Sequence, residues 1–257
     1  MGKEEKREIS MTLFYFTGTG NSLFVAQKIA DGTGAKIISI PQVIDEQREY
    51  LDDCIGFIYP QYANGLPKMV RKFILNNEFK AEYFFAIDLW AFVHIGALGE
   101  IAGIIPLNYG AYLKTPNNFI FLLNSPKHPK RILDKAEKQL VKIVKDINER
   151  KDKPIKPRKG EGNASKYFGE SKFRASDKCV SCGTCEGVCP AGNVRVEGGA
   201  VTFGKNCENC FACANLCPQQ AIYSKEAMLK RRQYRNPYVM VEEIVKVNKQ
   251  NLHQKDF

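Results

Sequence analysis

Residues 11–34 read MTLFYFTGTGNSLFVAQKIADGTG, and the order of textures within them sets the architecture. Met11–Thr17 is a short, almost wholly apolar run, which is how a strand buried on both faces of a parallel sheet reads. Gly18, Thr19, Gly20, Asn21 and Ser22 follow. Leu23, Val25, Ala26, Ile29 and Ala30 then fall at helical spacing, with Gly32 and Gly34 as the stop. A strand, a small polar loop and a helix in that order can hold a phosphate: glycines allow close backbone approach and hydroxyls donate hydrogen bonds. The helix N-terminus adds unpaired N–H groups and the positive end of its dipole. The loop is not a Walker A motif, because no Gly-Lys-Ser/Thr follows. It also departs from the dinucleotide fingerprint, since Leu23 stands at the third glycine position. With no lysine or arginine in it, the loop suits a phosphate bound by neutral donors.

Working outward, Ala35–Ile40 reads as a second strand, residues 41–53 as a connection, and Cys54–Tyr59 as a third strand ending in Pro60. Pro67 opens a helix running to Asn76. Glu82–Leu89 reads as a fourth strand, a small-residue helix covers 97–105, and Phe119–Leu123 reads as the fifth strand. Over 130–150, Ile132, Leu133, Ala136, Leu140, Ile143, Val144 and Ile147 share one helical face and the lysines the other. Strands alternating with helices predict an α/β, doubly wound, five-stranded parallel sheet. Ligands in such folds bind beyond the carboxyl ends of the strands. Three loops leave those ends: residues 17–22, Pro60-Gln61-Tyr62, and Trp90-Ala91-Phe92-Val93-His94. Cys54, at the start of a buried strand, reads as a small core residue.

The other decisive stretch is CVSCGTCEGVCP at 179–190 and CENCFACANLCP at 207–218. Eight of the nine cysteines lie in these two copies of C-x2-C-x2-C-x3-C-P, each cysteine repeated 28 positions later. A zinc ribbon pairs C-x2-C motifs across a longer loop, which would leave the third cysteine of each run spare. A disulfide framework belongs to short secreted chains. The run resembles that of bacterial ferredoxins, in which the fourth cysteine ligates the other cluster. That resemblance implies Cys179, Cys182, Cys185 and Cys217 for one 4Fe–4S cluster, and Cys207, Cys210, Cys213 and Cys189 for the second. Between the runs, Asn193–Phe203 alternates about Gly198-Gly199 and reads as a β-hairpin. The tail at 239–247 reads as a packing helix.

The net charge of +10 is uneven: −2 over residues 1–126, +9 over 127–178, −1 over 179–220 and +4 over 221–257. A basic connector and tail suit docking of an acidic protein partner or an anionic substrate. No nucleic-acid motif accompanies the charge, so no nucleic acid is expected. The charged start, MGKEEKREIS, does not read as a signal peptide, so none is expected. Lys6 stands where myristoylation wants Ser or Thr, and no apolar run reaches the eighteen residues of a membrane span. No membrane association is expected, and the expected location is a reducing, anaerobic cytoplasm.

With both stretches in view, the chain resembles the flavodoxin–ferredoxin fusion family. The resemblance implies an FMN-binding flavodoxin-like domain at 9–150 and a linker at 151–177. It further implies a small α+β two-cluster ferredoxin-like domain at 178–224, with a basic tail at 225–257. By the same resemblance Thr17, Gly18, Thr19, Gly20, Asn21 and Ser22 hold the FMN phosphate. Pro60, Gln61 and Tyr62, and Trp90, Ala91, Phe92 and His94, form the loops that hold its ring. The family's third loop usually carries a Gly-Gly pair; here Phe92-Val93 stands instead. His94 and Tyr62 are the candidate proton donors, since a histidine titrates near neutrality. The linker, spanning up to ~90 Å if extended, would allow docking within the chain or onto a neighbour, as in a homodimer. The combination implies an oxidoreductase relaying single electrons between two clusters and FMN, toward a redox protein or small-molecule acceptor. The alternatives are an FMN-dependent reductase of a small organic substrate and a redox-sensing binding module.

Overall fold

The computed structural model describes residues 10–63, 65–93, 96–158 and 172–248. In chain order its first part runs β1 (Met11–Tyr15), α1 (Asn21–Thr33), β2 (Lys36–Ser39), α2 (Ile40–Val43), β3 (Glu49–Leu51), β4 (Cys54–Pro60) and α3 (Lys68–Asn76). It continues with β5 (Glu78–Lys80), β6 (Tyr83–Trp90), α4 (Ala97–Ala102), β7 (Tyr109–Lys114) and α5 (Pro129–Asn148). The main sheet has five strands in the order β2-β1-β4-β6-β7, every pair parallel. Counting only these strands, the order is 2-1-3-4-5, the flavodoxin-like doubly wound arrangement. The switch point lies between β1 and β4, so the loop after β1 opens into the crevice where ligands bind.

Burial accounts for the central strands. All residues of β4 but Pro60 are buried, as are all of β6 but Trp90, so both strands are covered on two faces. α1 and α5 lie on one face, joined by Lys28–Glu137 at 2.7 Å, and Tyr109 donates to Asp146 of α5 at 3.2 Å. On the other face Phe14 and Phe57 meet Phe73 of α3 and the aromatic side chains of the short β3–β5 ribbon. Gly34 ends α1 as expected, at φ 73° with its N–H bonded to the Ala30 carbonyl; glycine adopts this left-handed turn without strain.

The fifth strand is not where the sequence placed it. Phe119–Leu123 is a turn, its Leu122 and Leu123 N–H groups bonded to the Phe119 carbonyl, and β7 at Tyr109–Lys114 completes the sheet. The apolar side chains of 119–121 pack instead on Phe211, with Phe119 and Phe211 rings 5.4 Å apart and edge-to-face. A short apolar run reports burial, not the partner that buries it. β7 is hard to see in the sequence because an edge strand reading YGAYLK, with two exposed positions, lacks a continuous apolar signature.

The second part holds β8 (Arg174–Ala175), α6 (Thr184–Gly187), β9 (Val194–Glu197), β10 (Ala200–Phe203), α7 (Ala212–Leu216), β11 (Ile222–Tyr223), a 3-10 turn (Glu226–Lys230) and α8 (Val241–Asn248). β9 and β10 form the expected hairpin; Gly198 and Gly199 have φ of 56° and 82°, the positive values a two-residue type I′ turn requires. β8 pairs with β11.

The two parts interlock. Val188, Cys210, Ala212, Leu216, Val239 and Ile244 share a continuous apolar core with the sheet. Asn248 of α8 donates to both the Thr17 and Val188 carbonyls, at 3.2 and 3.0 Å. Residues 151–158 lie along β7 and α4: Gly110 N–H donates to the Lys153 carbonyl, and Arg158 N–H to that of Gly99. Two arginines of the basic tail hold structure. Arg231 donates to the Ile120 and Phe121 carbonyls, and Arg232 to that of Ser125. Among the described residues no helix is long and apolar enough to cross a membrane.

Candidate functional site

The loop after β1 is almost wholly buried, with Thr17, Thr19 and Ser22 at 2% exposure or less. Gly20 caps α1 at φ 96° with no side chain capping the helix, so the first N–H groups of α1 are open to a ligand. Thr17 Oγ1 accepts from Gly20 N–H at 3.1 Å and shapes the turn. A cavity of about 230 Å3 opens beside it, lined by Thr17, Gly18, Thr19, Asn21 and Ser22 and by the two other loops. That is smaller than the ~300–1,000 Å3 usual for drug-sized ligands, so a larger occupant has to emerge at the rim.

Two of the loop residues have tasks that the sequence does not reveal. The Asn21 amide is used elsewhere: its oxygen accepts from Tyr234 Oη and Asn236 Nδ2, and its nitrogen donates to the Pro116 carbonyl. What Asn21 offers the cavity is its backbone N–H. Gly20 turns its α-carbon toward the tail, where a Cβ would stand 3.1 Å from that of Asn236.

The second loop contributes Pro60, Gln61, Tyr62 and Ala63, and the third Trp90, Ala91, Phe92 and Val93. They are tied together: Gln61 N–H donates to the Leu89 carbonyl at 2.9 Å, and Gln61 Nε2 to that of Val93 at 2.8 Å. Phe92 and Val93 are 58% and 53% exposed, forming an apolar rim. Lys114 Nζ lies 5.1 Å from the Trp90 ring centre. His94 lies outside the described residues.

A fourth wall is one that sequence reasoning missed. Thr115, Pro116, Asn117, Asn118 and Phe119 line the cavity together with Asn209 and Phe211. Residues 115–119 leave the carboxyl end of β7, so the strand-end rule finds them once β7 is known. Asn209 and Phe211 flank a cysteine, and nothing in their spacing signals a cavity. Asn118 joins the walls, its Nδ2 donating to Thr19 Oγ1 at 3.1 Å and to the Cys210 carbonyl at 3.3 Å.

The eight cysteines of the repeat gather in two groups. Cys179, Cys182, Cys185 and Cys217 surround one small hollow, and Cys189, Cys207, Cys210 and Cys213 surround another. The fourth cysteine of each run thus crosses to the other group. Backbone N–H groups point at sulfur: Asn193 to Cys189 at 3.2 Å, Asn209 to Cys207 at 3.4 Å and Ala221 to Cys217 at 3.3 Å. Among the described residues no three His, Cys, Asp or Glu side chains converge on a single metal-ion position. The groups differ in environment. Cys182 is exposed, and hydrogen bonding from Thr184 holds its thiol below the usual range. Burial pushes the Cys210 and Cys213 thiols far up, so ionising them requires a compensating positive charge such as a metal. Cys54 is buried apart from both groups, its pKa raised to about 12 by burial, as an inert core thiol.

Asp88, two residues before Trp90, is fully buried, and neither carboxylate oxygen has a hydrogen-bond partner among the described residues. Tyr59 and Tyr112 stand beside it in register, and Glu100 of α4 is the other acidic group bearing on Tyr59. Burial raises Asp88 from 3.8 to about 8. A carboxyl raised in the folded state lends stability below its unfolded value and loses it as pH rises through the folded one. The contribution of Asp88 to stability is therefore expected to fall between about pH 4 and pH 8. Asp88→Asn should flatten that slope in thermal melts; an unchanged slope would show that Asp88 is ionised in the fold.

No family model matches the chain. A segment of 71 residues is 31% identical to a component of the F(420)H(2) dehydrogenase of Methanosarcina mazei, covering 23% of this chain and 20% of that one. A segment of 45 residues is 47% identical to a component of the ion-translocating oxidoreductase complex of Methanosarcina acetivorans, covering 17% of each. The chain thus spans about a fifth of the length of the curated relatives it matches. Among solved structures, a putative flavoprotein from Bacteroides uniformis aligns over 42% of this chain and 92% of its own, at 15% identity and TM-score 0.35. A WrbA-like flavodoxin from Agrobacterium tumefaciens aligns over 56% and 99%, at 14% identity and TM-score 0.31. At such scores these likenesses add nothing to the topology described above.

Proposed function

We propose that this chain is an iron–sulfur flavoprotein that passes electrons between two 4Fe–4S clusters and one FMN. One observation carries the reading: the loop of one cysteine group is itself a wall of the cavity beside the phosphate-type loop. Asn209 and Phe211 line that cavity, and the position of a Cβ on Gly18 is 3.0 Å from Cys210 Cβ. The residues present fit the groups proposed. Four thiols and inward N–H groups meet at each hollow, and an uncapped helix N-terminus opens into a cavity with aromatic walls. The partial matches to components of two redox complexes are in keeping with this reading.

When bound, FMN exchanges electrons singly or in pairs, and each cluster carries one at a time. The chain supplies the placement. Backbone N–H groups of the 18–22 loop other than that of Gly20, which bonds Thr17 Oγ1, and the Ser22 hydroxyl would hold the phosphate, while Tyr62, Trp90 and Phe92 would flank the ring and exclude water. The group of Cys189, Cys207, Cys210 and Cys213 lies against the cavity. That of Cys179, Cys182, Cys185 and Cys217 reaches the surface, where Val180 is 63% exposed. With the clusters and FMN bound, the inner group would stand between the outer group at the surface and the flavin. The contact lies within one chain, so the relay needs no second copy. A basic connector favours an acidic redox protein as partner. The Phe92–Val93 rim favours the second reading, reduction of a small apolar acceptor at the flavin edge.

Anaerobic purification with iron, sulfide and flavin analysis tests the proposal. About eight irons and one FMN per chain are expected. Fewer than about six irons would overturn two four-iron clusters, and absence of flavin would overturn the cavity assignment.

A further inference from the structure

Tyr62 presents two faces to its surroundings. Its ring lines the cavity and meets Phe16 edge-to-face at 6.2 Å. Its hydroxyl is buried and has no hydrogen-bond partner among the described residues. Leaving such a donor unsatisfied is costly, so an orphaned buried hydroxyl calls for an acceptor that completes it. The position a Cβ on Gly18 would take is 3.5 Å from the Tyr62 hydroxyl and 3.0 Å from Cys210 Cβ. The hydroxyl therefore sits at the seam between the phosphate-type loop and the inner cysteine group. The ionisable groups bearing on it are Cys210, Glu208 and Cys207, and Glu208 already accepts the Met69 N–H at 3.2 Å.

We infer that the Tyr62 hydroxyl donates a hydrogen bond to a sulfur of the inner cluster, while its ring walls the flavin cavity. This rests on the two-cluster reading above. A neutral thiol accepts hydrogen bonds weakly, whereas cluster sulfurs accept them and their potentials respond. Donation favours the reduced, more negative state and raises the midpoint potential. Tyr62 thereby tunes the electron carrier next to the flavin, a role distinct from proton donation to substrate.

The test is Tyr62→Phe in the cofactor-loaded protein, followed by EPR-monitored redox titration. The change removes one buried oxygen and keeps the ring, so iron and flavin contents serve as controls for intact loading. The inner cluster's midpoint potential is expected to fall while that of the outer cluster stays. In the wild-type protein, deuterium exchange should also remove a proton signal coupled to the reduced inner cluster, one that Tyr62→Phe lacks. An unchanged inner potential at full iron content overturns the inference and leaves the two-cluster reading standing. Weakened FMN binding with an unchanged potential also overturns it, assigning the hydroxyl to the flavin. Iron content too low for two clusters instead overturns the reading on which the inference rests.

Discussion

Gly18→Val is expected to separate the cysteine-rich part from the cavity beside the 17–22 loop and, on the proposed reading, to weaken FMN retention. The backbone at Gly18 is not in a conformation reserved for glycine, so the effect comes from space alone. A single Cβ there already stands 3.0 Å from both Cβ and the carbonyl oxygen of Cys210, tighter than ordinary van der Waals contact. Two further methyl groups would press on Cys210, which is 8% exposed and held in the apolar core, or intrude on the cavity beside the Tyr62 hydroxyl, 3.5 Å from the same Cβ position. Overpacking of this kind costs about 1–3 kcal/mol, and about 1.4 kcal/mol is tenfold in an equilibrium. Hydrogen exchange should rise in residues 207–218 and at Asn118, with the sheet unchanged. Gly18→Ala should shift the same segments by less. Equal exchange and equal flavin content in Gly18→Val would show that the contact does not hold the two parts together.

The second large effect is expected at Asn215. This side chain has no exposed surface and is fully occupied. Its Nδ2 donates to the Asn118 carbonyl at 2.8 Å and to that of Phe211 at 3.0 Å. Its Oδ1 accepts the Tyr234 N–H at 2.8 Å. It therefore ties together the turn after β7, the inner cysteine loop and the start of the tail. Tyr234 in turn donates to Asn21 on α1, which brings the phosphate-type loop into the same network. Asn215→Leu keeps the bulk and removes all three bonds. The Asn118 and Phe211 carbonyls keep the Ile120 and Asn215 N–H groups, so the Tyr234 N–H alone is left unpaired, at a cost of about 1–3 kcal/mol that falls where the tail begins. Limited proteolysis should cut between residues 225 and 240 in the variant and spare the parent. Resistance equal to the parent would mean that apolar packing alone fixes the tail.

The two variants probe a feature the sequence presents as two separate motifs. The phosphate-type loop and the cysteine run are each legible because each is local. Strand, loop and helix follow within 24 residues, and four thiols recur within eleven positions. Hairpin, packing helix and three of the four cavity walls are legible for the same reason. The fourth wall is not. It depends on locating β7, whose edge position mixes exposed and buried residues, and on side chains between cysteines whose neighbours lie far away in sequence. The Phe119–Leu123 run shows the limit most clearly: its apolar residues stand out, but the surface they cover belongs to Phe211.

The sheet's class, the phosphate-type loop and the two cysteine runs are legible in contiguous residues, because backbone periodicity and short-range spacing are local. Where those features meet is a property of the folded chain. Asn21 looks like a ligand residue in the sequence but spends its side chain on Tyr234 and Asn236, more than two hundred positions away. Gly18 looks like a phosphate glycine and is also the gap into which Cys210 fits. Such contacts arise when two apolar surfaces close and every buried polar group between them must find a partner. That requirement falls on pairs of residues, and no single stretch of sequence contains both members.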